Sequence, residues 1–472
     1  MSSERRLYVG PSLRRLRRDL GLTQSDMASD LEVSASYVAL LERNHRPLSA
    51  EMLMRLAQTY KIDIGALASG GGGETGRLRA VLRDPMFADL EVPSLEAEDL
   101  ATNFPGLLEG FLRLYTAYQQ EHLALADLGA EAQAGDGGQG VDAADPVAES
   151  RRFLAARRNC FPKLDEAAEA LAQTIARQGN LAEYLAAHHK LKVRRLPANV
   201  MVGSVRRLDR HRRQILLDDT LDTASQMFQL ALQLAYLELR GEIDSIIAEG
   251  VFATDSGERL THRALASYAA AAIVMPYAAF AKAAETRRYD VEALARQFGA
   301  SFEQTAHRLT TLQKPGQERV PFFFIRVDPA GNVSKRLDGA GFPFARHGGG
   351  CPLWSVHQAF TTPRQIVTQW LELPDGQKFF SIARTVTAGG GAYGAQRVER
   401  AIALGCAAEH AGSLIYTQVG SGPGAESATP IGVTCRLCHR TECAARSAPP
   451  LGRQILPDDI RRTGAPFGFS DS

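Results

Sequence analysis

The chain has 472 residues, and its 54 Lys and Arg nearly balance its 53 Asp and Glu, for a formal net charge of +1. This length is too great for one hydrophobic core and predicts two to four domains. The charge balance excludes non-specific coating of nucleic acid, so any contact with DNA has to be local. No long uninterrupted apolar run or signal-peptide core is present, and five of the six cysteines follow residue 350. We therefore expect a cytoplasmic protein without membrane contacts and with reduced thiols.

Residues 13–47 carry the most informative pattern in the sequence. Leucines recur at helical spacing before Gly21, Thr23 can cap a second helix, and Ser34 can cap a third. The glycine, the caps and the apolar positions therefore fall where a helix-turn-helix needs them, and a plain three-helix bundle is the alternative. The pattern predicts an all-α helix-turn-helix head over residues 7–67.

The same residues resemble the lambda-repressor-like (XRE, Cro-type) DNA-binding domain. The resemblance implies that the third helix lies in the major groove of double-stranded operator DNA, with its outward N-terminal residues reaching base edges. Arginines near the N-terminus suit the release of counterions from phosphates, and a solvated helix face is the alternative reading of them. The residues expected to contact DNA are Arg14, Arg17, Gln24, Ser34, Ala35, Ser36, Tyr37, Arg43 and Asn44.

Two low-complexity segments divide the chain. Residues 69–76 are rich in glycine and predict a flexible tether, and residues 129–145 predict a second linker. Between them, residues 77–128 are expected to be mostly helical, with an apolar stripe from Leu107 to Tyr115. A single helix-turn-helix usually needs a partner to cover two half-sites, so this stripe is a candidate dimer helix. Packing on the core of its own chain is the alternative. We expect a homodimer or homotetramer.

The remainder predicts two α+β regions. Residues 147–317 are expected to form an α-rich domain with a small sheet, and residues 318–472 an α+β C-terminal domain. The expected helices cover 162–178, 180–189, 223–240, 260–286 and 290–299. The expected strands cover 190–196, 214–218, 320–327, 365–373 and 378–386. The whole chain is therefore predicted to be a multidomain α+β protein.

The segment MFQLALQLAYLEL, residues 227–239, followed downstream by AAAAIVMPYAAF, resembles the IrrE-like metallopeptidase family. In that family the helix carries HExxH, with two histidine ligands for zinc and a general-base glutamate. The aligned positions here are Leu232, Gln233 and Tyr236, and the usual acidic ligand falls near His262. Leucine cannot ligate zinc and glutamine cannot act as a base, so we expect no enzyme activity. An active zinc metallopeptidase is the alternative.

An emptied active site remains a concave pocket that can keep a binding role. Lys192 and Arg194 alternate on a predicted strand and so share one face, and further arginines precede the next strand. Cations beside an apolar cleft suit a phosphorylated ligand with a small acyl tail, and solvated surface is the alternative. The expected ligand contacts are Lys192, Arg194, Arg210, Leu232, Gln233, Tyr236, Arg326, Lys335 and Arg336.

Three cysteines close together form the second strong pattern. Cys435 and Cys438 have CxxC spacing and Cys443 follows five residues later, which is typical of a metal centre. A 4Fe–4S cluster is bound by four thiolates, and we expect Cys406 as the fourth ligand, with Cys351 as the alternative. A structural zinc ion and a redox disulfide within the CxxC pair are the competing interpretations.

Together, these features resemble the short-chain fatty acyl-CoA regulator family of bacterial transcription factors. The runs RLTTLQKPG, VPFFFIRVDPAGNVSKR, FARHGGGCPLW and CRLCHRTEC carry the resemblance most specifically. It implies a regulator that binds operator DNA and senses a short-chain acyl-CoA, propionyl-CoA above all, to control genes of propionate and acyl-CoA metabolism. It also implies an iron–sulfur cluster in some members. An antitoxin-like or adaptor DNA-binding protein without acyl-CoA sensing is the alternative.

Overall fold

The protein is a multidomain α+β chain, as the sequence predicts. No single described helix is long and apolar enough to cross a membrane; one bent pair, Asp255–Val274 with Tyr277–Thr286, meets length and composition alone. The computed structural model describes residues 13–14, 17, 22–42, 45–46, 48–60, 72–82, 84–87, 100, 104, 106–112, 114–115, 118, 145–344, 350–389, 397–417, 427–451, 453–457, 460 and 464–469.

Short helices around a small core form the N-terminal head. They are α1 (Gln24–Asp30), α2 (Ala35–Glu42) and α3 (Ala50–Tyr60). The predicted cap of α1 is present, because Thr23 and Asp26 each accept a hydrogen bond from the other's backbone N–H. The buried apolar side chains in the described part of the head are Leu13, Met27, Ala28, Leu31, Val38, Leu41, Leu48, Met52 and Leu56. The head therefore has a hydrophobic core of its own.

A second small helical unit follows. Helix α4 (Gly72–Val81) precedes a 3₁₀ turn at Pro85–Phe87, and residues 106–112 are again helical. Leu78, Val81, Leu108 and Leu112 are buried together. The helical content expected between the two linkers is therefore present in the described part of this region.

The middle region surrounds a three-stranded sheet with helices. Its elements are α5 (Pro146–Ala156), α6 (Pro162–Gln178), α7 (Leu181–His189), β1 (Lys192–Leu196), α8 (Ala198–Met201), β2 (Arg206–Asp209), β3 (Gln214–Asp218), α9 (Thr223–Glu238), α10 (Arg240–Ala248) and α11 (Asp255–Val274). The strand order is β1-β3-β2, with β1 parallel and β2 antiparallel to β3. One face of the sheet, through Ile215 and Leu217, packs with α9 and α11 in the core.

Proline sets the end of the longest helix. A single helix over residues 260–286 was expected, but the chain breaks into α11 and then α12 (Tyr277–Thr286), so that expectation is wrong. Proline disfavours the α conformation of the residue before it and cannot donate a backbone hydrogen bond. Met275 accordingly lies outside the helical region, with φ −128° and ψ 76°.

A larger sheet dominates the C-terminal region. The elements after α12 are α13 (Val291–Phe298), α14 (Phe302–Leu309), β4 (Phe323–Val327), β5 (Val333–Leu337), β6 (Val367–Glu372), β7 (Lys378–Gly389), β8 (Arg397–Ala407), α15 (Ala408–Ala411) and β9 (Thr429–Pro430). The described strands lie in the order β5-β4-β8-β7-β6-β9, antiparallel except for the β6–β9 pair. Strand β8 was not predicted.

The middle and C-terminal regions share one core. One face of the large sheet packs against α12, α13 and α14, in a cluster that joins Phe280 and Leu309 to Phe324. Arg308 of α14 is fully buried and donates to the carboxylate of Asp165 in α6 at 2.7 Å. A buried ion pair of this kind requires both partners to remain in place. The described residues from 145 onward therefore form one packed body, which we call the body.

Candidate functional site

The N-terminal end of α2 presents the surface expected to meet DNA. Ser34, Ala35 and Ser36 are exposed and Tyr37 is half-buried. The Ser34 hydroxyl accepts a hydrogen bond from the Tyr37 N–H at 3.1 Å, and the guanidinium of Arg46 lies 5.8 Å from the Tyr37 ring centroid. These side chains occupy the position from which a recognition helix reads the major groove. Arg43 and Asn44 lie outside the described residues.

A buried carboxylate holds α2 in place. Glu42 accepts hydrogen bonds from Arg17 Nε at 2.6 Å and from Gln24 Nε2 at 2.7 Å, and Arg14 Nε lies 3.6 Å from it. Burial would raise the pKa of Glu42, but the hydrogen bonds from Arg17 and Gln24 outweigh it and keep that pKa below its usual value. Arg14, Arg17 and Gln24, all expected to contact DNA, thus have internal partners, because Arg14 also donates to the Glu42 carbonyl at 3.2 Å, and the Arg14 side chain remains 43% exposed.

A cavity of about 670 Å³ lies in the middle region where a metallopeptidase of this fold would hold zinc. Its lining residues are His189, Leu191, Leu208, Arg210, Gln233, Tyr236, Leu237, Arg240 and His262. Helix α9 supplies the two aligned positions Gln233 and Tyr236, and α11 supplies His262. In the described part of the chain, no three His, Cys, Asp or Glu side chains are grouped so that they could hold a metal ion.

Three polar lining residues, Gln233, Tyr236 and His262, form the floor of this cavity, and Arg206 contacts the first two of them. Arg206 of β2 donates to Gln233 Oε1, and its guanidinium carbon lies 5.5 Å from the centroid of the Tyr236 ring. The Tyr236 ring in turn stacks on His262 with centroids 5.9 Å apart and planes 8° from parallel. Burial lowers the pKa of Arg206, and Tyr236 partly opposes this effect. An amide, a phenol and an imidazole therefore occupy the aligned zinc-site positions, and a guanidinium contacts the amide and the phenol.

The rim of the cavity is cationic. Arg210 is exposed, and the Arg240 side chain is 73% exposed with its Nε 3.4 Å from the carboxylate of Asp244. His262 Nε2 lies 3.3 Å from the same carboxylate. The site thus combines a polar floor with leucine walls and positive charge near the solvent.

The structure brings only part of the expected ligand set to this cavity. Arg210, Gln233 and Tyr236 line it, whereas Leu232 packs against the core of the middle region. Lys192 and Arg194 are exposed on the opposite face of the sheet, because the intervening Val193 packs into the core. The expectation that both cations approach the pocket is wrong for this geometric reason.

The three cations expected from the C-terminal region lie elsewhere. Arg326, Lys335 and Arg336 are on the β4–β5 hairpin, and none is among the residues that line the cavity. Arg326 instead pairs with Glu303 of α14 at 2.7 Å and donates to Ser334 at 2.9 Å. Arg326 therefore links the hairpin to α14.

Several cavity residues were missed by sequence reasoning. The lining residue Leu208 and Arg206, which contacts the lining residue Gln233, belong to β2, and this strand of four residues is too short and too charged to be recognised. Arg206 and Leu208 are two residues apart in VRRLD, and this spacing is the one sequence signal that places them on a shared face of a strand. His189 and Arg240 lie at the end of α7 and the start of α10, where only the fold brings them together.

The cysteine cluster includes Cys351. Burial raises the pKa of the Cys351 thiol, and the nearby thiols of Cys438 and Cys435 raise it further. The backbone approaches closely here, since a Cβ added to Gly432 would lie 2.9 Å from Cys438 Sγ. Cys351 is therefore a neighbour of the CxxC pair.

Cys406 is directed away from that cluster. It lies in β8, and with Ile402 and Leu404 it packs on the sheet face that meets α12 to α14. Cys351 packs with Ala403 on the other face. Because successive residues of a strand point to opposite faces, Cys406 and Cys351 are separated by the sheet. Cys406, the expected fourth ligand, thus lies away from the cluster, whereas Cys351, the alternative, lies at it.

Backbone and side-chain donors organise the CxxC loop. Arg446 is buried and donates to the carbonyl groups of Cys435 at 3.0 Å and of Cys438 at 2.8 Å. The N–H and hydroxyl of Ser447 lie 3.4 and 3.3 Å from Cys435 Sγ. A buried cation and hydrogen bonds to sulfur suit anionic thiolates. The donors thus fit a sulfur-ligated centre in kind, although the thiols do not converge on one point.

The fold and these sites define a DNA-binding transcriptional regulator built on a metallopeptidase-like body. Family profiles match a helix-turn-helix over residues 13–67, an IrrE N-terminal-like domain over 186–310, and the C-terminal region of a short-chain fatty acyl coenzyme A regulator over 311–467. The resemblances drawn from the sequence are therefore confirmed.

Similar proteins match over nearly the full length. A propionyl-CoA carboxylase regulator of Cereibacter sphaeroides is 37% identical, with 99% of both chains covered. The HTH-type transcriptional regulator RamB of Mycobacterium tuberculosis is 36% identical, with 98% of both covered. A solved structure of a Mycobacterium tuberculosis transcriptional regulator is 36% identical with a TM-score of 0.64, covering 69% of this chain and 99% of that one. The chain belongs to the short-chain fatty acyl-CoA regulator family, and its relatives are named as regulators, not enzymes.

Proposed function

We propose that this regulator binds a short-chain acyl-CoA, propionyl-CoA above all, in the cavity of its middle region and thereby controls genes of propionate and acyl-CoA metabolism. The observation that carries the proposal is the cavity of about 670 Å³ at the emptied metal site. Its size is within the range of small-molecule sites, roughly 300–1,000 Å³. One relative is named a propionyl-CoA carboxylase regulator, which fits this ligand class.

The rim suits the nucleotide end of the ligand. Arg210 and Arg240 offer guanidinium groups beside solvent, and guanidinium pairs with phosphate through two parallel hydrogen bonds. Arg240 already faces a carboxylate, Asp244, at 3.4 Å, and a phosphate is a stronger acceptor of the same kind. The diphosphate of coenzyme A thus has donors at the mouth of the cavity.

The floor suits a thioester with a short acyl chain. Arg206 and the Gln233 amide are donors close to one another, and a thioester carbonyl would accept from them. Leu191 and Leu208 supply apolar wall for two or three carbons. A long acyl chain would have to bury methylene groups against the polar floor and leave polar groups there unpaired, at a cost of about 1–3 kcal/mol each.

A ligand that engages Arg206 has to compete with its present partners. In doing so it alters how β2 is held against α9, and binding then favours the arrangement of the body that accommodates it. DNA affinity responds if the two arrangements place paired heads differently on the operator half-sites. Such coupling is typically about 1–3 kcal/mol, or roughly 5- to 150-fold in affinity.

Calorimetry of the full chain with propionyl-CoA, free coenzyme A and palmitoyl-CoA tests the ligand. We expect the strongest binding for propionyl-CoA, and a loss of about tenfold or more in Arg206→Met and in Arg240→Gln, because each removes a hydrogen bond to a charged group. Lys163→Gln, an exposed change on α6, is the matched control and should bind as the unaltered chain does.

Two outcomes would contradict the proposal. Absence of heat with every acyl-CoA, with the chain still folded and bound to DNA, would favour the adaptor alternative. Equal affinity for propionyl-CoA and free coenzyme A would mean that the acyl group is not sensed. A genomic footprint placing the operators beside genes of propionyl-CoA metabolism is expected from the same proposal.

We also propose that Cys351, Cys435, Cys438 and Cys443 hold a 4Fe–4S cluster, with zinc as the alternative occupant. The nearness of Cys351 to the CxxC pair and the hydrogen bonds to Cys435 Sγ support this donor set. A bound cluster would link the CxxC loop covalently to the segment at residue 351 and stabilise the C-terminal region.

Metal and sulfide analysis of anaerobically purified protein tests the cluster. We expect about four irons per chain, lost in Cys351→Ser and retained in Cys406→Ser. Iron retained in Cys351→Ser and lost in Cys406→Ser would contradict the donor set. One zinc per chain without sulfide would show that zinc, the alternative occupant, is bound at this site.

A further inference from the structure

The middle region carries a concentrated positive charge, and only part of it meets the cavity. Between residues 190 and 213 there are nine Lys or Arg and one acid, Asp209, in a chain whose net charge is only +1. The cations of this segment are Lys190, Lys192, Arg194, Arg195, Arg206, Arg207, Arg210, Arg212 and Arg213. A local excess of this size calls for a physical account, because like charges repel in the folded state.

Strand pairing gathers three of these cations, Lys192, Arg194 and Arg207, on one face of the small sheet, and Arg212 and Arg213 lie in the turn between β2 and β3. Arg194 of β1 and Arg207 of β2 are both register partners of Leu216 in β3, so they flank it at a separation of about 10 Å. Lys192 lies two residues earlier on β1, and its N–H donates to the carbonyl of Arg213 at 3.0 Å. All of these cations are exposed. We call Lys192, Arg194, Arg207, Arg212 and Arg213 the basic face.

The basic face points away from the cavity. Its strands send Val193, Ile215 and Leu208 to the opposite face and into the core. Arg206, next to Arg207 on β2, points to that opposite face and contacts Gln233. Successive residues of one strand thus serve the cavity and the outer surface.

Among the described residues of this segment, only the carboxylate of Asp209 offsets this surface; the Arg212 backbone N–H and, to a smaller extent, the Arg212 charge lower the pKa of Asp209. None of the five cations of the basic face forms an ion pair with a described carboxylate, and the nearby Asp209 accepts a hydrogen bond from the Arg212 N–H at 2.9 Å. Ion pairs are frequent elsewhere in the body, as between Arg384 and Glu292 or Arg319 and Glu285. The exposed cations are therefore available to an external polyanion.

We propose that the basic face is a second DNA-contact surface, which binds the phosphate backbone of double-stranded DNA near the operator held by the head. The protein is a DNA-binding regulator, so DNA is the polyanion that its function already brings to it. Single-stranded nucleic acid is disfavoured, because residues 190–213 contain no Phe, Tyr or Trp on which bases could stack. Such phosphate contacts add affinity without reading sequence.

The salt dependence of DNA binding by the full chain tests this proposal. We compare Lys192→Gln/Arg194→Gln/Arg207→Gln with the control Lys163→Gln/Lys282→Gln/Arg296→Gln, which removes three exposed cations elsewhere on the body. Fluorescence anisotropy with an operator duplex and a random-sequence duplex, between about 50 and 200 mM salt, gives the slope of log K against log salt. Circular dichroism confirms that each variant is folded.

The expected result is a smaller salt slope in the basic-face variant. Each lost phosphate contact lowers the slope by about 0.9, so the loss of three lowers it by about 2.7. Affinity should fall by the same factor for operator and random duplexes, and the control should keep its slope.

Three results would overturn the proposal. An unchanged slope in the basic-face variant would assign the surface to another polyanion, such as an acidic protein or an anionic lipid surface. A loss confined to the operator duplex would mean base readout and not backbone contact. Loss of propionyl-CoA binding with an unchanged slope would assign the cations to the ligand's phosphates, and would leave the cavity proposal standing.

Discussion

The head and the body of this protein are organised in opposite ways. The head has its own small core and local caps, and its family match over residues 13–67 covers that packing unit. In the body, the matches over 186–310 and 311–467 meet inside one shared core, where α12 to α14 pack on the large sheet. Sequence families can therefore end where packing does not. A change in the middle region should affect the C-terminal sheet but not the head.

The largest expected effect comes from the buried ion pair between α6 and α14, one of the helices that pack on the large sheet. Asp165→Asn leaves the fully buried Arg308 without its carboxylate, which costs about 3–5 kcal/mol. Both tryptophans, Trp354 and Trp370, lie in the C-terminal region, so their fluorescence reports unfolding there. We expect the fluorescence transition in urea to shift with the circular dichroism transition, although the change is in α6.

A compensating variant sharpens this test. Asp165→Leu/Arg308→Met removes both charges and should recover much of the lost stability, since neither group is left unpaired. A tryptophan transition that stays in place in Asp165→Asn, while helical signal is lost earlier, would show that the middle and C-terminal regions of the body unfold independently.

The corresponding change in the head should leave the body untouched. Glu42→Gln removes the charge that Arg17 and Gln24 bind, at a cost of about 1.5–3 kcal/mol. We expect weaker operator binding and faster proteolysis of the head, with an unchanged tryptophan transition and unchanged heat with propionyl-CoA. A shift of the tryptophan transition would contradict the separation of head and body.

Alkaline pH should act on the body through one lysine. Burial lowers the pKa of Lys335 to about 8, with a smaller contribution from Arg326 that Glu303 opposes. Between about pH 8 and 10.4 the unfolded chain then binds more protons at this residue than the folded one. The Lys335 contribution to the free energy of unfolding therefore rises with pH across that window. Tryptophan-monitored urea titrations at pH 8 and pH 10 should show this rise relative to Lys335→Met; equal pH dependence in both proteins would contradict it.

The smallest expected effect lies in the cap of α1. Thr23→Ala removes the side chain that accepts from the Asp26 N–H, at a cost of about 1 kcal/mol. Proteolysis of the head should quicken modestly, and the body should unfold as before. Thr174→Ala on α6 is a control whose hydroxyl donates only to its own helix at Ala170. If Thr174→Ala lowered the stability of the protein more than Thr23→Ala does, the importance of the cap would be contradicted.

The head was predictable because its signals are local. Thr23 and Ser34 act on neighbours within a few residues, and both caps are seen where they were expected, whereas the predicted helix end at Gly21 lies outside the described residues. The strand Gln214–Asp218 and the helix Pro162–Gln178 were also located correctly, since each has a clear period and a clear end. Local chemistry decides these elements.

The site was only partly predictable because strand partners decide which way a side chain points. Alternation correctly put Lys192 and Arg194 on one face, but the pairing of β1 with β3 decides which face meets the cavity. The same argument separates Cys406 from Cys351, since nothing in the spacing shows on which side of a sheet each lies. The cytoplasmic location and the homo-oligomeric state stay predictions.

The central claim is that ligand binding in the cavity changes the affinity of the protein for its operator DNA. The most direct measurement is the affinity of the full chain for its operator duplex with and without saturating propionyl-CoA, at fixed salt. We expect a change of at least about fivefold, which disappears in Arg206→Met. Equal operator affinity with and without propionyl-CoA, under conditions where calorimetry shows the ligand bound, would contradict the account.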